Sequence, residues 1–142
     1  MLDALTTVRD AIANAQYTKT PLCVVTLDFQ AALDKISHEY LFTLLHKYGL
    51  SERMQQRIRN LYVHGTSVVK INGHISQPIP INCSIRQGCP LSMQLYALCQ
   101  DPLLQALEEI MTKNRIERRS STTAVIAYAD DVTLLVSNPQ DI

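Results

Sequence analysis

Short apolar runs that end in an acid constrain this chain most. Leu22-Cys23-Val24-Val25-Thr26-Leu27 follows a break at Thr20-Pro21, is rich in β-branched residues, and stops at Asp28. Two more such runs, Ala124 to Tyr128 and Val132 to Val136, flank Ala129-Asp130-Asp131. Apolar runs this short, bounded by breakers, read as buried strands. Strands buried in one sheet bring their ends together. Asp28 and the Asp130-Asp131 pair, far apart in sequence, are therefore predicted neighbours at a sheet edge.

The rest of the chain reads mostly as helix. Leu2, Leu5, Val8, Ile12 and Ala15 recur at helical spacing. Ser37 is placed to cap a helix through Tyr40, Leu41, Leu44, Leu45 and Tyr48 that Gly49 stops. Ser51 is placed to cap another, carrying Met54, Ile58, Leu61 and Tyr62, which ends near Gly65. Two β-prone runs, Ser67 to Ile71 and His74 to Gln77, are joined by Asn72-Gly73, the signature of a hairpin with a type I′ turn. Asn82 to Pro90 reads as a loop. Leu91 to about Met111 reads as a helix with Leu95, Leu98, Leu103, Leu104 and Leu107 as its core stripe, and Pro102 inside it. The polar, basic segment Lys113 to Ser121 is predicted to be a loop. The order of elements implies an α+β fold, a largely antiparallel sheet with helices packed on one face.

Length and charge bound the function. The 142 residues suit one domain, and 46% hydrophobic with 18% charged residues exclude wholesale disorder. Thirteen Lys and Arg balance thirteen Asp and Glu, which argues against a self-sufficient nucleic-acid binder. Met1-Leu2-Asp3-Ala4 begins no signal peptide, and no stretch approaches the ~18–20 apolar residues of a membrane span. Cys23, Cys83, Cys89 and Cys99 have no metal-ligand spacing among themselves or with His38, His46, His64 and His74. Free thiols in a reducing intracellular compartment are the expectation.

Acids gathered at strand tips repel one another unless a cation neutralises them. Hard oxygen ligands favour Mg²⁺, which binds through one or two carboxylates and substrate phosphates. Two such ions about 3.5–4 Å apart stabilise the attacking and leaving oxygens of a phosphoryl displacement. Asp also tolerates turns for conformational reasons alone, so from these residues both readings stand. The loop Arg86-Gln87-Gly88-Cys89-Pro90-Leu91-Ser92 opens the long helix: Gly88 permits close backbone approach, and Arg86 with Gln87 offers donors to phosphate or base edges. An ordinary junction of loop and helix accounts for the same residues.

Taken together, Leu27-Asp28-Phe29-Gln30-Ala31-Ala32-Leu33-Asp34-Lys35-Ile36-Ser37-His38, then Arg86 to Ser92, then Tyr128-Ala129-Asp130-Asp131 resemble, in order and spacing, the reverse transcriptase domain of non-LTR (LINE-type) retrotransposons. Group II intron reverse transcriptases share the Tyr-Ala-Asp-Asp box. The Asp-x-x-x-x-x-Asp-x-x-x-His run and the full Arg-Gln-Gly-Cys-Pro-Leu-Ser string look more like the retrotransposon group.

The resemblance implies a polymerase palm with incomplete fingers and no thumb, a partial reverse transcriptase domain over residues 1–142. Its motif blocks lie around residues 27–38, 86–92 and 128–131. It implies Asp28, Asp130 and Asp131 as catalytic, metal-binding acids, with the Phe29 carbonyl as a further ligand. Tyr128 would lie near the primer terminus, and Arg86, Gln87 and Gly88 near nucleotide and template. Two Mg²⁺ ions, or Mn²⁺ in their place, are the implied cofactors. RNA template, DNA primer and deoxynucleotides are the implied partners, with no membrane, in the cytoplasm and nucleus. Leu33 stands where the family usually has Phe or Tyr, the side chain that screens out a 2′-hydroxyl. Met93, Gln94 and Ala97 depart from the family's pattern too. The family's fingers would precede Met1 and its thumb would follow Ile142, so a palm fragment or remnant with little activity alone is expected. The competing reading from another class is a non-catalytic nucleic-acid-binding remnant. Against it, the six Tyr and two Phe sit mostly at helix or core spacing and offer no aromatic strand on which bases would stack.

Overall fold

A computed structural model describes residues 2–118 and 124–136. In chain order the elements are α1 (Leu2–Thr18), β1 (Cys23–Asp28), α2 (His38–Lys47), α3 (Glu52–Tyr62), β2 (Thr66–Ser67), β3 (Lys70–Ile71), β4 (His74–Ile75), β5 (Ile79–Pro80), α4 (Ser92–Arg118), β6 (Ala124–Tyr128) and β7 (Asp131–Val136). They fall into two compact units, Met1–Gln30 with Gln100–Ile142, and Ala31–Cys99.

The first unit is built on an antiparallel sheet in the order β1-β7-β6. The register pairs Leu27 with Val132 and Asp28 with Asp131 on one side of β7, and Tyr128 with Asp131 on the other. Period-2 alternation then separates two faces. Cys23, Val25 and Leu27 share one face with Val125, Val132, Leu134 and Val136, and pack with Leu104, Leu107 and Met111 of α4 and with Phe29. Val24, Thr26 and Asp28 share the other with Asp131, Thr133, Ile126 and Tyr128. Helix α4 covers the first face, as expected. Helix α1 does not join it there. Its Leu5, Val8 and Ile12 line a cavity on the second face with Val24, Thr26 and Thr133, where Leu5 and Ile12 stay exposed.

Polarity misled the reading of α4's end. Lys113 to Arg118 continue the helix, as the high helix propensity of Lys, Glu and Arg allows; the remainder of the segment read as a loop lies outside the described residues. Leu103, placed in the core stripe, is 41% exposed, whereas Leu95 is buried and Leu98, Leu104 and Leu107 are half-buried.

The second unit packs α2 and α3 with the start of α4 around Leu41, Leu45, Ile58, Ile85 and Leu95. Ser37 caps α2 by accepting from the Tyr40 amide, while Ser51 makes no side-chain cap on α3. Gly49 takes φ +72° where α2 stops. The hairpin forms as its dipeptide dictates: β3 and β4 are joined by Asn72 at φ +48° and Gly73 at φ +85°, positive at both central positions as type I′ requires. Ser67, read as part of that hairpin's first strand, belongs to β2 instead, which pairs with β5 outside it. All four cysteines are free, and burial pushes the Cys99 thiol up to about 11, so it serves as a packed apolar group.

Candidate active site

At one end of the first unit's sheet the register sets three functional candidates in a row. Asp28 ends β1, Asp131 begins β7 directly opposite it, and Tyr128 ends β6 on Asp131's other side. Directly paired residues face the same way, with Cβ atoms about 4.5–5.5 Å apart. Asp28, Asp131 and Tyr128 are exposed, whereas Val132, the next residue along β7, is fully buried. A strand buried along most of its length thus presents its first residue to solvent.

Asp130 sits in the turn, and Asp131, expected there as well, is already strand. With Tyr128 and Asp131 paired, only Ala129 and Asp130 are left to make the turn. Ala129 has φ +52° and Asp130 has no positive φ, the φ pattern of a type II′ turn, whose first central position ordinarily needs Gly. Left-handed backbone at a residue with a Cβ costs roughly 1–2 kcal/mol. The strained residue lies between the tyrosine and the acids. Phe29 follows Asp28, and its ring is half-buried against the Met111 and Val132 cluster.

Among the described residues, no cation pairs with Asp28, Asp130 or Asp131, and no three His, Cys, Asp or Glu side chains converge into a complete metal cage. Two opposed carboxylates are nevertheless the donor set a hard divalent ion takes from a protein, since Mg²⁺ draws the rest of its shell from water and substrate phosphate. Asp28 and Asp131 fit such an ion. A shallow cavity of about 270 Å³ opens on this face, lined by Leu5, Val8, Thr26, Ile126, Tyr128 and Asp131.

The remaining candidates lie in the second unit. Arg86 and Gln87 are exposed, and Gly88 takes φ +79° with open space where a Cβ would stand. The Ser92 hydroxyl donates to the Arg86 carbonyl and closes the loop at the start of α4. Beneath it lies Tyr62, 3% exposed. Its hydroxyl has no hydrogen-bond partner among the described residues, although Ser92 lies near it without bonding geometry. Burial pushes the Tyr62 phenol up, only partly offset by Ser92 and Arg86. Leu33 is half-buried against the Leu41 and Leu45 cluster, and its carbonyl accepts from the Ile85 amide at 2.8 Å. Sequence reasoning missed Ser84 and Tyr62 as supports of this loop. Tyr62 was legible only as a core residue, and nothing marks Ser84 in the sequence.

Paired acids at the tips of antiparallel strands, in an α+β fold, are the arrangement that the resemblance to a polymerase palm leads one to expect. The sequence matches the reverse transcriptase (RNA-dependent DNA polymerase) family over residues 2–142, and the chain belongs to that family. Members of this family use divalent metal ions and act on nucleic-acid template and primer. The chain is 31% identical over all its length to the uncharacterized 149 kDa protein of the Xenopus laevis transposon TX1, covering 11% of that protein. It is 27% identical over 84% of its length to a Pol polyprotein of the Popillia japonica retrotransposable element R2, covering 20% of it. It is 30% identical over 78% of its length to that of the Drosophila melanogaster element R2DM, covering 10%. The chain thus spans a fifth or less of each of these relatives. Among solved structures, apo telomerase from Candida tropicalis superposes with a TM-score of 0.56 at 16% identity, over 98% of this chain and 28% of that one, which shows the shared fold. Among the described residues no helix is long and apolar enough to cross a membrane.

Proposed function

We propose that this chain is the catalytic palm of a retrotransposon RNA-directed DNA polymerase, joining a deoxynucleotide to a primer 3′-hydroxyl on an RNA template with release of pyrophosphate. The cross-strand pair Asp28–Asp131, exposed at the end of a packed sheet in a member of this family, is the observation that supports the reading. Asp28 and Asp131 hold Mg²⁺ or Mn²⁺, with Asp130 and the Phe29 carbonyl as further donors and two ions in the working complex. Bound there, the metal supplies charge neutralisation at the transferring phosphoryl group and activation of the attacking hydroxyl. Tyr128, exposed beside Asp131, supports the primer terminus. Arg86 donates to the phosphates of the nucleotide, and Gln87 with Gly88 borders nucleotide and template. Positioning and electrostatics supply most of the rate in such transfers. None of these side chains needs to form a covalent bond to substrate.

Primer extension by the chain on an RNA template annealed to a DNA primer tests this. A small yield of product is expected with Mg²⁺ or Mn²⁺, and none with EDTA or in Asp131→Asn. Equal product from the wild type and Asp131→Asn would refute the assignment.

Leu33 sets sugar selection in this reading. A leucine leaves more room against the sugar than the aromatic ring the family usually carries, so a 2′-hydroxyl is poorly excluded. Leu33→Phe is expected to raise the preference for deoxynucleotides over ribonucleotides about tenfold, the order of a modest steric discrimination. Competition between the two sugars in single-nucleotide extension measures it. An already strong deoxy preference in the wild type would contradict it.

A further inference from the structure

We propose that Asp34, His38 and Ser84 form a clasp that positions the Arg86–Gly88 loop relative to Leu33; its use in nucleotide binding rests on the function proposed above. Every polar group of Ser84 is bonded to the later part of the first acidic motif. The Ser84 hydroxyl donates to Asp34 Oδ1 at 3.0 Å. The Ser84 carbonyl accepts from His38 Nε2 at 3.0 Å. The Ser84 amide donates to the Ile36 carbonyl at 2.9 Å. Flanking bonds extend the join: the His38 amide donates to the Asn82 carbonyl at 3.0 Å, and the Ile85 amide to that of Leu33 at 2.8 Å.

Ser84 has φ +94°, a conformation that residues with a Cβ rarely adopt. Strain of this kind persists only where surrounding contacts over-determine it. Here two side chains and a buried neighbour do so. The Ile85 side chain is fully buried in the second unit's core, which fixes the chain one residue before Arg86. The His38 ring is itself held, with its centroid 5.1 Å from that of Tyr62 and 6.2 Å from that of Phe42. The Arg59 guanidinium lies 4.4 Å above the Phe42 ring and backs the stack.

An Asp, a Ser and a His in one cluster also suggest a nucleophile with its base, but the geometry excludes that. His38 bonds the Ser84 carbonyl, leaving the hydroxyl to Asp34, so the imidazole does not face Oγ and the Ser–His pairing of an activated nucleophile is not formed. The three are positioning residues. They account for the second acid and the histidine of the Asp28-to-His38 motif, which the metal chemistry leaves unexplained.

Amide hydrogen exchange on the full chain tests the clasp, comparing wild type with Asp34→Ala, His38→Leu and Ser84→Ala. Asp34→Asn and His38→Gln serve as conservative variants, because their amides still accept or donate the same bond. Exchange at Ser84, Ile85 and Arg86 to Gly88 is expected to quicken about tenfold in the first three, the order of losing one charge-assisted or buried bond. Leu44 and Leu45 of α2 should keep their protection, and the conservative variants should return near wild type. Unchanged exchange at residues 84–88, equal loosening of α2, or no rescue by Asn and Gln would overturn the clasp. Affinity for a deoxynucleoside triphosphate with Mn²⁺ is expected to fall about tenfold in the same three variants and to recover with the conservative ones. Equal affinity despite a loosened loop would overturn its role at the nucleotide. If the wild type bound no triphosphate, the proposed function would fall instead, and exchange alone would still decide the clasp.

Discussion

Asp28→Asn is expected to lower metal-dependent primer extension by about two to three orders of magnitude while leaving the chain folded, since a preorganised charge at the reacting centre is worth about that much. The substitution keeps shape and exposure and removes only the charge. Metal-free stability should shift the other way. Asp28 and Asp131 are directly opposed like charges on neighbouring strands, an arrangement that costs about 0.2–1 kcal/mol. Asparagine at either position relieves it, so the metal-free variant should melt slightly higher than the wild type. Adding metal reverses the order. A ligand present at about 100 times its Kd stabilises the folded chain by about 2.7 kcal/mol, and the variant, lacking half of the donor pair, should gain little. Thermal melts of both proteins with and without Mn²⁺ measure this crossing. A variant lost to misfolding would melt lower in both conditions, and a wild type indifferent to Mn²⁺ would remove the metal site from consideration.

The elements legible in the sequence are those whose local chemistry and tertiary role agree. Asn72-Gly73 specifies its turn outright, Ser37 its cap, and the apolar run before Asp28 its strand. The acids were legible because an apolar run ending in a charge is costly anywhere but at a sheet's edge. Distances and faces were not. Nothing local says that α1 settles on the acid-bearing face, a choice made by which row of side chains is left uncovered. Polarity alone does not distinguish a loop from a helix, and Lys113 to Arg118 are helical. Ser84 and Ala129 were invisible because each adopts a backbone conformation its residue type disfavours. Both strained residues border candidate functional loops, where tertiary contacts override local preference.

Leu134→Ala is expected to cost about 2–5 kcal/mol of unfolding free energy, the range for removing a buried leucine side chain. Leu134 is 4% exposed on β7, the central strand, and shares its face with Val132, Val136 and the α4 residues Leu104, Leu107 and Met111. The pairing of β7 with both β1 and β6 lets the backbone relax little around the cavity left behind. Thr133→Ala, one residue away, should cost no more than about 1 kcal/mol, the span of strand propensity, because its side chain stands on the opposite, half-open face. Urea titration of the two variants gives the comparison. A large loss for Leu134 and a small one for Thr133 would mean that β7 holds Asp131 in place from its buried side while leaving the acid's own side accessible. Equal losses would mean that the two faces of β7 are assigned wrongly, and with them the face on which Asp28, Asp131 and Tyr128 stand together.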